Sequence, residues 1–268
     1  MLVAEDVLAA DERAVYALCS FMTLDDSGLP SSTVPQAPGI FALSHKDGSV
    51  LWSQHRKPDA DRSVAAVLAG GMLLYTDSEK NLVARSTTTG EQLWFADTDA
   101  QALYQPATDG TRVFCSAAGT GLQAVTVADG KPAWVKTPPQ KRIWFTPAAV
   151  GDGVAYSVLG GMTVTLDGTL YTPPAAPVLI AFQADSGAEL WRLPLTDECT
   201  MTIAPFLVKD TLFVATNDKG LFAVDTKAHT LRWVFRNGIS TDVAWQFATD
   251  GEQLIALQDD RVYALPLS

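Results

Sequence analysis

Apolar and polar residues alternate along this chain in short runs, each about one strand long, with turn residues between them. The strand-like stretches share a form: GlyIlePheAlaLeu at 39–43, AsnLeuValAlaArg at 81–85, GlyLeuGlnAlaVal at 121–125 and GlyLeuPheAlaVal at 220–224. Each carries an alanine with a glycine six residues on and a tryptophan four residues later. The frame reads Ala42–Gly48–Trp52, Ala84–Gly90–Trp94, Ala124–Gly130–Trp134 and Ala181–Gly187–Trp191, and then Ala223–His229–Trp233, where histidine replaces the glycine. All five copies keep the ten-residue step from Ala to Trp, so the chain is an internal repeat. The Asp/Thr/Ser-Gly pairs at 47–48, 89–90, 129–130 and 186–187 predict a turn, with glycine free to adopt positive φ. A second strand then ends on the tryptophan. The small alanine leaves room for a large ring, and Trp52, Trp94, Trp134, Trp191 and Trp233 are predicted to dock between neighbouring repeats.

Two further strands precede each frame. Val7–Ala10 leads to Ala14-Val15-Tyr16, and Ala65–Leu68 to Leu73-Leu74-Tyr75. Gln105–Ala107, Pro147–Val150, Pro205–Val208 and Gln246–Ala248 lead in the same way to Val113-Phe114, Ala155-Tyr156, Leu212-Phe213 and Leu254-Ile255. Four strands in a period of about 41 residues make a β-propeller blade. The expected fold is all-β, a six-bladed β-propeller of four-stranded blades in a single domain over 1–268. Its blades span roughly 5–54, 63–96, 103–136, 145–193, 202–236 and 244–268. The last blade stops after its third strand, ValTyrAlaLeu at 262–265, and lacks its fourth. Residues 1–5 are short for supplying that strand, and a tryptophan strand upstream of Met1 is the expected source.

Composition narrows the function. The chain has 268 residues, 47% hydrophobic and 18% charged, enough for a sizeable core. A net charge of −11 argues against binding a nucleic-acid backbone or an anionic membrane surface. No apolar run reaches the roughly 18 residues of a membrane helix; the longest, Val64 to Tyr75, breaks at Gly70-Gly71 into two strands. The start, MetLeuValAlaGluAspValLeu, shows no signal peptide, and the compartment is left open between a cytoplasmic and an extracytoplasmic setting. Cys19, Cys115 and Cys199 have no metal-ligand spacing, and Cys19 and Cys115 are expected as small buried apolar residues. The acidic pairs Glu5-Asp6, Asp25-Asp26 and Asp259-Asp260 are expected in turns or loops as solvated surface. His45 and His229 fall between third and fourth strands and His55 in a basic loop, none with a Cys or Ser partner, whereas a nucleophile needs a positioned base. Gly70-Gly71 and Gly160-Gly161 are strand turns rather than phosphate loops.

The Leu-x-Ala-x5-Gly-x3-Trp frame resembles the tryptophan-docking repeat of the quinoprotein-like (PQQ-like) β-propeller family, over almost the whole chain. That resemblance implies the propeller fold without fixing a function. The family includes quinone-dependent dehydrogenases, outer-membrane assembly lipoproteins and propellers attached to bacterial serine/threonine kinases. In texture, with its Asp- and Ala-rich strands and its close on ArgValTyrAlaLeuProLeuSer, the chain looks most like the propellers of actinobacterial kinases. Resemblance to the dehydrogenases would imply eight blades, adjacent cysteines over a quinone, and a calcium site beside a catalytic aspartate. Six blades, no adjoining cysteines and no ordered run of oxygen ligands depart from that. The expectation is a chain with no catalytic residues, no cofactor and no metal, acting as a ligand-sensing or protein-interaction propeller. It would be the regulatory part of a larger bacterial protein such as a kinase. The alternatives are an atypical quinoprotein oxidoreductase and an outer-membrane assembly scaffold.

Binding is expected where the loops are long. Phe21 to Pro38 and Leu159 to Pro177 exceed what the second-to-third connection needs. The second of these holds a hairpin, MetThrValThrLeu then ThrLeuTyrThr around Asp167-Gly168. In a six-bladed ring both would flank one central mouth. Tyr104, Gln105, Lys141, Arg142, Trp144, Asp242 and Trp245 lie in the interblade connections of the same face. Trp144 and Trp245 stand outside the repeat frame. A cation, aromatics and an amide around one opening would suit a small anionic or aromatic ligand, or a protein partner.

Overall fold

The computed structural model describes residues 2–21, 27, 36–55, 65–77, 81–98, 105–117, 121–140, 143–161, 164–166, 169–171, 176–196, 203–216, 220–237, 245–258 and 260–268. All regular structure among them is β-strand. The first sheet is β1 (Leu2–Ala10), β2 (Ala14–Phe21), β3 (Gln36–Ser44) and β4 (Val50–His55), antiparallel in chain order. The second is β5 (Ala66–Ala69), β6 (Met72–Thr76), β7 (Asn81–Ser86) and β8 (Gln92–Asp97), and the third β9 (Ala107–Thr108), β10 (Arg112–Ala117), β11 (Gly121–Thr126) and β12 (Pro132–Lys136).

The fourth sheet divides its first strand into β13 (Trp144–Phe145) and β14 (Ala149–Gly151), both pairing with β15 (Val154–Gly160). Pro147 has no N–H for a ladder, and Thr146 bridges the gap. Its amide donates to the Val158 carbonyl at 2.9 Å and its hydroxyl accepts from the Val158 amide at 3.0 Å. A separate hairpin, β16 (Val164–Leu166) with β17 (Thr169–Tyr171), precedes β18 (Val178–Gln183) and β19 (Glu189–Pro194). The fifth sheet is β20 (Phe206–Val208), β21 (Thr211–Thr216), β22 (Gly220–Asp225) and β23 (Thr230–Arg236). The sixth holds three strands, β24 (Gln246–Thr249), β25 (Gln253–Gln258) and β26 (Arg261–Pro266). These are the six blades of a β-propeller, the last without a fourth strand among the described residues.

Residues 2–5 extend β1, with Leu2 opposite Phe21 and Val3 opposite Ser20, so they belong to the first sheet and not to the sixth. Glu5 and Asp6, expected in a loop, lie in that strand for the same reason. The first long connection is shorter than expected, because Phe21 ends β2 and Gln36 begins β3.

Two compact units emerge, one of Met1–Asp99 with Val127–Lys131 and the other of Ala100–Thr126 with Pro132–Ser268. Within each, the core lies between successive sheets. Tyr16, Ile40 and Ala42 pack with Leu73, Tyr75 and Val83. Phe114, Leu122 and Ala124 pack with Phe145, Ala155 and Ile180, and Tyr156 and Leu179 with Leu212 and Phe222.

The tryptophan frame does this joining. Every frame alanine faces its own tryptophan across the third and fourth strands, from Ala42 opposite Trp52 to Ala223 opposite Trp233. A β-bulge after the alanine sets the register each time. The ring then reaches the next hairpin tip. The Trp52 indole N–H donates to the Thr87 carbonyl at 2.8 Å, Trp94 to Val127 at 2.9 Å and Trp134 to Ala184 at 3.0 Å. The frame glycine is the seat. A Cβ added at Gly90 would meet the Trp52 ring at 2.7 Å, at Gly130 the Trp94 ring at 2.5 Å, and at Gly187 the Trp134 ring at 2.7 Å. Where His229 replaces glycine it keeps positive φ (57°), and its imidazole stacks on Trp191 with centroids 4.6 Å apart.

Candidate functional site

The described cavity lies at the turn end of the fourth and fifth sheets, opposite the end that carries the long connections. It encloses about 520 Å³ and is lined by Asp152, Tyr156, Lys209, Asp210, Thr226 and Lys227. Three turns supply these side chains. Asp152 (φ 50°) and Lys209 (φ 54°) sit in left-handed backbone at the first-to-second strand turns, which throws both side chains outward. The third turn is the hairpin tip from Asp225 to His229. Its amide at Thr226 donates to the Asp210 carbonyl at 2.9 Å, tying two walls together.

Lys209, Asp210 and Lys227 are already partnered. Asp210 meets Arg232 at 3.1 Å and Lys227 at 3.5 Å. Desolvation raises the pKa of its carboxyl, yet hydrogen bonding and attraction from Arg232 and Lys227 leave it lower than usual. Asp225 accepts the amides of Ala228 at 2.7 Å and Lys227 at 2.9 Å and a guanidinium N–H of Arg232 at 2.8 Å. Its pKa falls to about 2, through the Ala228 amide first and then Arg232. Lys209 donates to the Gly251 carbonyl at 2.6 Å. Burial raises the Tyr156 phenol, with a hydrogen bond to Thr226 opposing and the Asp152 charge reinforcing. The wall is thus a neutral phenol and hydroxyl between two cations and two carboxylates, suited to polar peptide groups and without preference for one sign of charge.

Between the first two sheets the Tyr16 hydroxyl, at the position Tyr156 holds in the fourth, donates to Asp11 at 2.8 Å, and Arg13 donates to the Thr88 carbonyl at 3.1 Å. No cavity residue was singled out by the sequence, because Asp, Lys and Thr in turns read as ordinary solvated surface.

The residues expected at a binding mouth fare differently. Tyr104, Lys141, Arg142 and Asp242 lie outside the described residues. Gln105 is exposed just ahead of β9. Trp144 and Trp245 correct the expectation that rings outside the repeat frame are free to line an opening. Trp245 is 4% exposed, packed with Phe247 and Tyr263 in the core of the fifth and sixth sheets. Trp144 is half-buried in β13 against the core of the fourth and fifth. Both serve the packing between blades.

Cys19 and Cys115 are buried and not bridged, and burial pushes the Cys115 thiol up to about 12. Among the described residues no three His, Cys, Asp or Glu side chains group to hold a metal ion. No helix of the described chain is long and apolar enough to cross a membrane.

A family model described as outer membrane protein assembly factor BamB matches residues 38–156 and again 140–267. Among solved structures, Sqt1 of Saccharomyces cerevisiae is 13% identical with a TM-score of 0.62, over 99% of this chain and 72% of that one. The computationally designed Ika8 protein is 14% identical at 0.61, over 97% and 83%. The quinohemoprotein alcohol dehydrogenase of Comamonas testosteroni is 14% identical at 0.56, over 99% of this chain but 48% of its own. At such identities the likeness concerns fold alone. No curated protein matches the sequence.

Proposed function

The chain belongs to the family of the outer membrane protein assembly factor BamB, and from that premise we propose that it is a non-catalytic, protein-binding propeller. The supporting observation is how its ionisable side chains are used. Asp11, Asp109, Asp225 and Asp250 each accept two backbone amides of their own turns, and Asp210 is tied to Arg232. Such carboxylates rigidify a surface, and their depressed pKa values make them poor proton acceptors near neutrality. What remains for function is a rigid scaffold with a polar, mixed-charge recess between two blades. Attachment to a kinase finds no support in this geometry and is not part of the proposal.

The test has two arms. Proximity labelling in the source cell, followed by reconstitution of the recovered partner with purified protein, should give a complex of fixed stoichiometry. Lys227→Glu with Lys209→Glu should weaken it if the recess is used. Titrating the purified protein with pyrroloquinoline quinone and calcium should leave its melting temperature unchanged. A saturable quinone-dependent shift with substrate-driven dye reduction would overturn the proposal in favour of an oxidoreductase.

A further inference from the structure

Opposite the five frame alanines, on the second strand of each sheet, stand Tyr16, Leu74, Phe114, Tyr156 and Phe213 in turn. Only the first and fourth carry a hydroxyl, and each hydroxyl meets the hairpin tip of the next sheet. The Tyr16 oxygen lies 3.5 Å from the Thr87 carbonyl oxygen, and Tyr156 hydrogen-bonds to Thr226. The tips correspond too, because Thr87 and Thr226 each stand three residues past a frame alanine. What differs is the residue three before the tyrosine. In the first sheet it is Arg13, whose guanidinium donates to the Thr88 carbonyl at 3.1 Å and the Thr87 carbonyl at 3.4 Å. In the fourth it is Gly153, at the same register, with Ala149 opposite Tyr156 as Ala9 is opposite Tyr16. A glycine offers no donor in place of the guanidinium.

A second observation concerns the same tip. Trp52, Trp94 and Trp134 each donate to the carbonyl three residues past the next frame alanine. The same step takes Trp191 to Thr226, but His229 holds the frame glycine's place and the ring stacks on its imidazole instead. Among the described residues no donor reaches the carbonyls of Thr226 and Lys227, the counterparts of Thr87 and Thr88. The formal charges of the cavity wall balance, yet they are not equally engaged. Lys209 is held by the Gly251 carbonyl and Lys227 by Asp210. Asp152, which lines the cavity with the phenol, has neither an ion pair nor a hydrogen bond among the described residues. What stays open in the recess is therefore a set of acceptors: one carboxylate and two carbonyls.

We propose that the recess between the fourth and fifth sheets is a guanidinium seat, taking an arginine-type group from outside the chain in the role Arg13 has between the first and second. The guanidinium donates to the Thr226 and Lys227 carbonyls and pairs with Asp152. Its planar fork of five N–H donors suits several acceptors at once, whereas an ammonium brings the charge without the fork. The net charge of −11 draws a cation toward the surface. A cavity of about 520 Å³ is also of the size that holds a small ligand or an anchoring side chain. The group can belong to an arginine of a partner protein or to a small guanidino compound, and the chemistry of the seat is the same for both. The inference rests on the reading of this recess as the binding site of the chain.

The probe is N-acetyl-arginine amide, titrated into the purified full chain at constant ionic strength and followed by NMR. Backbone amides at 152–156, 209–210 and 226–227 should shift together and saturate. The citrulline counterpart, of the same shape without the charge, should not bind, and the lysine counterpart should bind about tenfold more weakly. Asp152→Asn should weaken binding by about tenfold while the melting temperature holds, since asparagine tolerates the left-handed backbone of that turn. Glu91→Gln, at an exposed position on another sheet, should leave binding unchanged. Tighter binding of a peptide with a central arginine than of free L-arginine or agmatine identifies a partner protein as the source. The reverse order identifies a small guanidino compound, and both orders support the seat. Equal binding of citrulline, shifts confined to other turns, or an Asp152→Asn variant that binds as the parent does overturns the proposal. If every arginine probe fails while charge reversal at Lys209 and Lys227 still weakens the reconstituted partner complex, the guanidinium seat is rejected and the protein-binding reading stands.

Discussion

At the scale of single residues, the frame glycine answers two demands at once. Gly48 and Gly90 have nearly the same φ, 72° and 73°, but nothing lies within 4 Å of a Cβ at Gly48 while the Trp52 ring crowds one at Gly90. Gly48→Ala should therefore cost about 1–2 kcal/mol, the expense of left-handed backbone. Gly90→Ala should add about 1–3 kcal/mol of overpacking to that. Chemical denaturation of both variants measures the difference, and equal losses would mean the ring contact contributes nothing. Trp94→Ala removes a docked ring and its hydrogen bond to Val127 and should destabilise by about 3–5 kcal/mol. Asp225 sets a pH dependence. Its folded pKa of about 2 lies below the ordinary 3.8, so its contribution is complete above about pH 4 and is lost as pH falls toward 2. Acid titration of Asp225→Asn should lack that component of the unfolding curve.

At the scale of elements, what was legible is what is local. The alanine, turn glycine and tryptophan lie within eleven residues, and their spacing alone fixes strand, hairpin and bulge. The partner of each ring was not legible, because Thr87 is 35 residues from Trp52 and Ala184 is 50 from Trp134. Trp144 and Trp245 were misjudged for the same reason: a ring outside a repeat can still be core, and only its neighbours decide. The cavity was invisible because three turns of common composition make it. The β16–β17 hairpin was legible from its alternation around Asp167-Gly168. Among the described residues its strands pair only with each other, so excising it with a short Gly-Ser bridge should change stability by no more than about 0.5 kcal/mol. A larger loss in thermal unfolding would show that it packs on the blade beneath.

At the scale of the whole molecule, a repeat whose units contact mainly their neighbours has stability that sums over interfaces. Gly90→Ala and Gly187→Ala disturb different interfaces, the seats of Trp52 and Trp134. Their losses should add within about 0.5 kcal/mol in the double variant, measured by urea unfolding. A larger discrepancy would reveal coupling beyond nearest neighbours. The docked hairpin tips also govern how such a chain can change over time. One added residue between the alanine and the tryptophan would lift the seat from under the preceding ring, which explains why five copies hold the same step. The opposite ends of the sheets carry no such appointment, and new length enters there, as it has between β2 and β3 and between β15 and β18. A lineage built this way can acquire new loops at one end of its blades while the other stays fixed in length, and a library of inserted segments should be tolerated in that same polarity.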